Sequence, residues 1–253
     1  MTFFKRFGFV LFGLFAITDI IFLALEYHTY RYYTKPFLLP VLLFTILAIS
    51  ADQNHPVYKR ILFVALLAGT AGDIFLLGTQ IRPQFFMYGL GAFLLMQLMY
   101  SIYFFRMQSI KKEFIIFQAF VALLMVGYSL TLVGYLYKYL GDLKIPVIIY
   151  TVVISLMFFG AVNIFHSKRA QKLAINFFIP GAAMLVLSDS ILAVNKFYLK
   201  DDLFNISVMV TYIFGQLFLA IGFTKHLKSS RSSGKRRSHK SRSEGMEIEH
   251  PAE

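Results

Sequence analysis

Apolar stretches separated by short polar segments run along the chain from its N-terminus to about residue 224. An α-helix needs roughly 20 mostly apolar residues to cross the hydrocarbon core of a bilayer. The pattern therefore predicts an all-α fold, a polytopic transmembrane bundle of eight helices. The stretches lie at roughly 5–25, 36–50, 60–78, 85–105, 114–137, 146–165, 173–195 and 203–224. The first has no small-residue cleavage site after it, so we expect a retained helix rather than a signal peptide.

The chain is expected to divide into a transmembrane domain, residues 1–224, and a disordered polybasic tail, residues 225–253. The tail combines Ser, Gly and mixed charges without apolar periodicity, so it cannot bury a core. Basic residues that follow a last helix can contact anionic lipid headgroups. The simpler interpretation is a tail that fixes topology and keeps the protein soluble.

The distribution of basic residues predicts the orientation in the membrane. Eight crossings place both termini on one side, and the loops of that side, with the N-terminus, carry ten Lys and Arg against seven on the other. The tail adds eight more to the first side. Because Lys and Arg favour the cytoplasmic side, we expect both termini to be cytoplasmic. We therefore expect a multi-pass protein of the plasma membrane, or of the inner membrane in a bacterium.

Composition narrows the chemistry. Hydrophobic residues make up 58% of the 253 residues, and charged residues 15%. The chain has no Cys, which excludes a disulfide framework, a thiolate metal site and a cysteine nucleophile. The six His show no zinc-site spacing, so we expect neither a metal nor a cofactor. The net charge of +12 follows from the loop and tail bias, which argues against a nucleic-acid partner.

Two aspartates, Asp73 and Asp189, lie well inside apolar stretches. A carboxylate at that depth costs several kcal/mol unless it faces a cavity or a partner, so such acids are candidate functional residues. With about 1.5 Å of rise per residue, both fall at a similar depth in the outer half of the membrane, and Asp19 is close to the same level. The alternative is a structural role as hydrogen-bond partners between helices.

Other polar residues are expected near the aspartates. Lys35, Asn195 and Lys196 fall at the outer boundary above them. Lys196 is seven residues after Asp189, a spacing that places both on one helical face. Lys196 could instead be an interfacial anchor, and Lys35, before Pro36, a helix cap.

Three segments resemble a known family. They are AGDIFLLG at 71–78, GLGAFLLMQLMY at 89–100 and GAAMLVLSDSILAVNKF at 181–197. Together they are similar to the YhhN family of eight-helix membrane proteins, which includes the lysoplasmalogenases. The resemblance extends from Lys35 to the end of the eighth helix. In the fourth helix the family pattern has a His where this chain has Gln97, and a Gln cannot titrate.

The resemblance implies hydrolysis of the vinyl ether bond of a lysoplasmalogen, a lysophospholipid, to a fatty aldehyde and glycerophosphoethanolamine or glycerophosphocholine. Protonation of the alkene followed by attack of water calls for one protonated acid and one ionised carboxylate, as in glycosidases. On this hypothesis Asp73 is the acid and Asp189, with Lys196 on its face, is ionised, or the roles are exchanged. The predicted substrate-binding residues are Lys35, Asn195, Lys196, Ser188, Tyr100 and Gln97. For Tyr100 and Gln97, interhelical hydrogen bonding is the alternative.

A second function class uses the same acids. A carrier of protons, ions or small amphiphiles could employ Asp73 and Asp189 as a relay or an ion site. Transporters often have helices broken by Gly and Pro at matching positions, whereas only the seventh stretch here has a proline more than five residues from either end, Pro180. The pattern favours a fixed cavity. It does not predict an oligomeric state.

Overall fold

Eight helices of membrane-spanning length and composition make up the computed structural model, which describes residues 1–229. No strand occurs in that range, so the predicted all-α transmembrane fold is confirmed. The helices are α1 Thr2–Ala24, α2 Leu38–Ile49, α3 Pro56–Leu77, α4 Phe85–Met107, α5 Ile115–Leu136, α6 Lys144–Asn163, α7 Gln171–Leu199 and α8 Asp202–Ser229.

The N-terminus, the α2–α3 turn and the end of α8 meet at one end of the bundle, called here the N-terminal end. Lys5 Nζ lies 3.5 Å from Asp52 Oδ2, and Lys228 lines the same surface cavity. An even number of crossings, here eight, returns the chain to the side on which it began, so both ends of the described chain are expected at the same end of the bundle. Helix α8 continues through Ser229, beyond the boundary predicted at 224. The rest of the predicted disordered tail lies outside the described residues.

The connection between α1 and α2 lies at the opposite end and folds inward. Two 3₁₀ turns, Tyr30–Tyr33 and Lys35–Phe37, precede α2 and extend that short span to 20 residues. Because the turns pack between helices, the side chains of Arg31 and Lys35 are buried. The connection therefore brings two cations into the bundle.

Helix α7 contains two π-helical turns. The first, Ala174–Phe178, comes just before Pro180, which cannot donate a backbone hydrogen bond and crowds the carbonyl four residues earlier. The widened turn is how the helix accommodates this proline. The second, Asn195–Leu199, ends at Lys200 in the left-handed conformation, with φ of 56°.

Two helix pairs cross closely at glycines. A Cβ built on Gly181 of α7 would lie 2.8 Å from Leu219 and 3.1 Å from the carbonyl oxygen of Gly215 on α8. A Cβ on Gly89 of α4 would lie 3.4 Å from the carbonyl oxygen of Gly72 on α3. Small residues allow this approach of backbones in membranes. The two pairs hold the segments that carry Asp73 and Asp189.

The buried core runs through α1–α4 and α6–α8, while α5 lies at the periphery. Only three of the residues of α5 are buried, namely Gln118, Val121 and Leu136. Helix α5 packs mainly against α6. The outer face of α5 is therefore expected to contact lipid.

We expect Gly181→Ala to destabilise the protein by about 1–3 kcal/mol, because the new methyl group would meet Leu219 and the backbone of α8. Gly91→Ala is the matched control, since a Cβ on Gly91 has no neighbour within 4 Å. Thermal unfolding in detergent measures both. Equal unfolding temperatures for the two variants would show that the α7–α8 crossing does not depend on glycine.

Candidate active site

Asp73, on α3, is buried and faces a cation. Its side chain is 1% exposed. Tyr212 of α8 donates a hydrogen bond of 3.0 Å to Oδ2, and Lys35 Nζ lies 3.5 Å from Oδ1. The three groups come from α8, from the turn before α2 and from α3. The ion pair with Lys35 offsets the cost of placing the carboxylate of Asp73 in the hydrocarbon region.

Asp189, on α7, has only neutral partners. Tyr150 of α6 donates a hydrogen bond of 2.5 Å to Oδ2, and Gln97 of α4 donates one of 3.3 Å to the same atom. Within residues 1–229 no Lys, Arg or His forms an ion pair with this carboxyl group, and Oδ1 accepts no hydrogen bond from the protein. One carboxyl oxygen is therefore held and the other is available.

A third acid, Asp19 on α1, is completely buried in an ion pair. Arg31 donates from Nε at 3.2 Å to Oδ1 and from Nη2 at 2.9 Å to Oδ2. Thr34 donates a further hydrogen bond of 2.8 Å to Oδ1. Both carboxyl oxygens of Asp19 are thus occupied, which identifies this acid as structural.

A polar cavity of about 440 Å³ opens at the end of the bundle opposite the N-terminal end. Four cationic side chains line it, from Arg31, Lys35, Lys196 and Lys200. Its volume falls in the range of small-molecule sites. Arg31 and Lys35 are paired with Asp19 and Asp73, and Asp202 also lines the cavity. Lys196 and Lys200 are therefore the basic groups that an anion would meet there.

A second, apolar cavity borders Asp189. Its free volume is about 40 Å³, enough for a water molecule, and it is lined mostly by aliphatic and aromatic side chains. Its polar lining residues are Tyr128, Tyr150, Thr151, Asp189 and Ser190. Leu76, Phe86 and Leu192 line both cavities. These three side chains separate a cation-lined chamber from a carboxyl group in an apolar one.

The structure distributes charge differently from the sequence hypothesis. Lys196 does not meet Asp189, because its Nζ lies 5.2 Å from the centroid of the Phe86 ring at the polar cavity. Lys35, expected at the headgroup boundary, pairs with Asp73. The acid with a basic partner is therefore Asp73, and the acid without one is Asp189.

The remaining predicted substrate-binding residues separate into two groups. Asn195 lines the polar cavity and bonds with Asn205 and the backbone of Asp201, while Gln97 contacts Asp189 directly. Ser188 instead donates to the carbonyl of Val208, and Tyr100 to Oε1 of Gln216. The last two hydroxyls join helices, and neither residue lines the two cavities.

Sequence reasoning missed three residues of this region. Tyr150 and Tyr128 each lie in apolar stretches that contain other tyrosines, so no local pattern distinguishes them. Arg31 is one of the seven basic residues on the side opposite the termini, where a charge in a loop is ordinary. Its position twelve residues after Asp19, across a connection, is the one available signal, since a buried carboxylate without a basic partner is costly. Among residues 1–229, no three His, Asp or Glu lie close enough to hold a metal ion.

The fold and the site together define a multi-pass helical membrane protein with a part-buried carboxyl group, that of Asp189, in an apolar cavity beside a polar one. The YhhN family matches residues 30–223, and the chain belongs to that family. No match was found among curated proteins or among solved structures.

We expect Arg31→Met to cost about 3–5 kcal/mol in unfolding free energy, because it leaves the carboxylate of Asp19 buried without a partner. The double variant Asp19→Leu, Arg31→Met should recover most of that loss. As a control, Asp52→Asn removes the exposed pair with Lys5 and should cost less than about 1 kcal/mol. Thermal unfolding in detergent compares all three. A single variant as stable as the control would contradict a structural role for the pair.

Proposed function

We propose that the protein hydrolyses the vinyl ether bond of lysoplasmalogens. The observation that supports this most directly is the position of Asp189, in an apolar cavity beside a larger cation-lined cavity. A lysoplasmalogen has the same sequence of parts, an anionic phosphate in its headgroup, a vinyl ether bond and a hydrocarbon chain. Membership of a family that includes lysoplasmalogenases supports the same reaction.

The reaction needs one proton donor at the alkene. Transfer of a proton to the vinyl carbon remote from the ether oxygen leaves an oxocarbenium cation. Water then adds to the carbon attached to oxygen and loses a proton, which gives a hemiacetal. The hydroxyl of the hemiacetal loses its proton as the bond to the glycerol oxygen breaks, and that oxygen takes up a proton, so the products are a fatty aldehyde and a glycerophospho-alcohol.

Asp189 is proposed as that donor. It has no cation beside it in the described chain, and an apolar surrounding favours the neutral carboxylic acid. Tyr150 and Gln97 hold Oδ2, which leaves Oδ1 for the transferable proton. After the transfer the new carboxylate lies next to the oxocarbenium cation and stabilises it. It then accepts the proton of the attacking water, which restores the acid.

Asp73 is proposed as a positioning residue. It does not line either cavity, but its ion pair holds Lys35, which lines the polar one. Tyr212 fixes the second oxygen of the carboxylate. The sequence hypothesis divided the chemistry between two carboxyl groups. This geometry favours proton transfer at Asp189 alone, while Asp73 holds Lys35 in position to bind the headgroup.

The phosphate of the substrate is proposed to occupy the polar cavity. Ammonium and guanidinium groups form strong hydrogen bonds with phosphate oxygens. Lys196 and Lys200 come from the second π-helical turn of α7 and the residue after it, and both line the cavity. The headgroup would then sit at the membrane boundary, with the ether bond directed toward Asp189.

We expect Asp189→Asn to lower kcat for vinyl ether hydrolysis by about 10²–10⁴-fold, the usual contribution of a general acid, since an amide cannot donate this proton. Asp142→Asn, in an exposed turn, is the matched control and should keep full activity. Release of fatty aldehyde by purified protein in detergent is the measurement. Full activity of Asp189→Asn would exclude the proposed acid.

A panel of lysolipids tests the reaction class. The vinyl ether should be cleaved, and the alkyl ether and ester of the same headgroup should not, because only the vinyl ether forms an oxocarbenium cation on protonation. Activity in detergent also distinguishes a hydrolase from a carrier, which needs sealed vesicles. Cleavage of the ester alone would overturn the proposal.

We expect Lys196→Gln to raise KM roughly tenfold with little change in kcat, because one charge-assisted hydrogen bond to phosphate is lost, about 1.5 kcal/mol. Lys138→Gln removes a basic residue that does not line the cavity and serves as control. The same aldehyde assay over a range of substrate concentrations separates KM from kcat. An unchanged KM would place the phosphate elsewhere.

A further inference from the structure

A long apolar groove runs between α5 and α6 on the lipid-facing side of the bundle. Six residues of α5 between Ala122 and Val133, and six of α6 between Ile148 and Phe159, line a volume of about 520 Å³. The three hydroxyl-bearing residues among them have their protons engaged. Ser129 donates to the carbonyl of Met125, Thr151 donates to that of Val147, and Ser155 lies 3.1 Å from Ser129. The groove therefore offers almost no free hydrogen-bond donor to a polar ligand.

The groove adjoins the cavity of Asp189. Thr151 lines both spaces. Helix α5 contributes Tyr128 and Leu132 to the cavity. The next residues along the helix, Ser129 and Val133, line the groove. A hydrogen bond of 2.5 Å between Tyr128 and Ser190 of α7 fixes α5 beside Asp189. The groove and the cavity of Asp189 therefore lie side by side, with Thr151 between them.

The cavity at Asp189 is too small for a hydrocarbon chain. Its free volume of about 40 Å³ is well below the roughly 150 Å³ that accommodates benzene. The groove, at about 520 Å³, is several times larger than that. A substrate whose ether bond reaches Asp189 must therefore extend its chain into another space, and the groove is an apolar space that adjoins the cavity.

The polar cavity lies nearest the membrane boundary, and the cavity of Asp189 lies deeper; the groove begins at Ile148, beside that cavity, and extends further along α6. The polar cavity is at the end opposite the N-terminal end, and the cavity of Asp189 is lined on α6 by residues from Val147 to Ile154. The groove continues along α6 to Phe159, eight residues or roughly 12 Å beyond Thr151. The hydrocarbon part of one leaflet is about 15 Å deep. This arrangement of spaces matches a lipid standing in one leaflet.

We propose that the groove between α5 and α6 binds the hydrocarbon chain of a single-chain phospholipid whose ether bond lies at Asp189. The peripheral packing of α5 leaves this groove accessible from the lipid, so the chain enters sideways without leaving the bilayer. The inference rests on the proposed hydrolase function for the identity of the bond at Asp189. It adds the location of the chain.

A photoreactive, non-hydrolysable alkyl ether lysophospholipid, with a diazirine near the end of its chain, tests the location. Purified protein is irradiated with this probe and labelled residues are identified by mass spectrometry. Labels at Met125 and Leu156 in the groove should decrease when excess unlabelled alkyl ether lipid competes. Labels at Ile116, 84% exposed on α5 outside the groove, should not. Equal competition at both places would overturn the proposal.

Filling the groove provides the second measurement. Val152→Trp narrows it, whereas Leu123→Trp places the same side chain on the lipid face of α5 outside it. Val152→Trp should lower competable labelling, and kcat/KM for a long-chain vinyl ether, about tenfold, the effect of displacing roughly two buried methylenes. A short-chain vinyl ether should be cleaved as before. An equal loss for both chain lengths, or an equal effect of Leu123→Trp, would contradict chain binding in the groove.

The two proposals can fail separately. Competable labels in the groove without aldehyde release from a vinyl ether would support the lipid site and refute the hydrolase. Aldehyde release with labels that excess lipid does not displace would support the hydrolase and refute the groove.

Discussion

The cost of burying charge in hydrocarbon governs this structure. Three carboxyl groups lie inside the bundle, and each is accommodated differently. Asp19 is fully paired with Arg31. Asp73 pairs with Lys35, which forms no ion pair with another carboxyl group in the described chain. Asp189 receives only neutral hydrogen bonds. Pairing makes the first two suited to holding helices and cations in place, and the lack of pairing leaves the third available for proton transfer.

This constraint explains the inward fold of the α1–α2 connection. Two acids on different helices need two cations, and the 3₁₀ turns before α2 provide both from one short segment. The same segment forms one wall of the polar cavity, while the π-helical end of α7 supplies Lys196 and Lys200 to the other. Charge compensation and a cationic cavity are therefore consequences of the same arrangement.

Much of the fold could be predicted, because hydropathy acts locally and a span needs a defined length. The second span was too short in the sequence because its 3₁₀ turns do not look apolar. Asp73 and Asp189 could be singled out as candidates from the sequence because a charge in an apolar stretch is conspicuous. The partner expected for Asp189 was wrong. A seven-residue spacing assumes α-helical geometry, whereas the chain becomes π-helical at Asn195, and the Nζ of Lys196 lies over Phe86.

The sequence by itself determined the membrane class, the eight spans and the acids that interrupt them, since these depend on the order of apolar and polar residues. Only the tertiary structure decided which cation meets which acid, and that Tyr150 and Gln97 hold Asp189 beside an apolar cavity. Those contacts join residues dozens of positions apart, on helices whose rotation about their axes is set by packing at glycine crossings. Local patterns carry no information about that rotation.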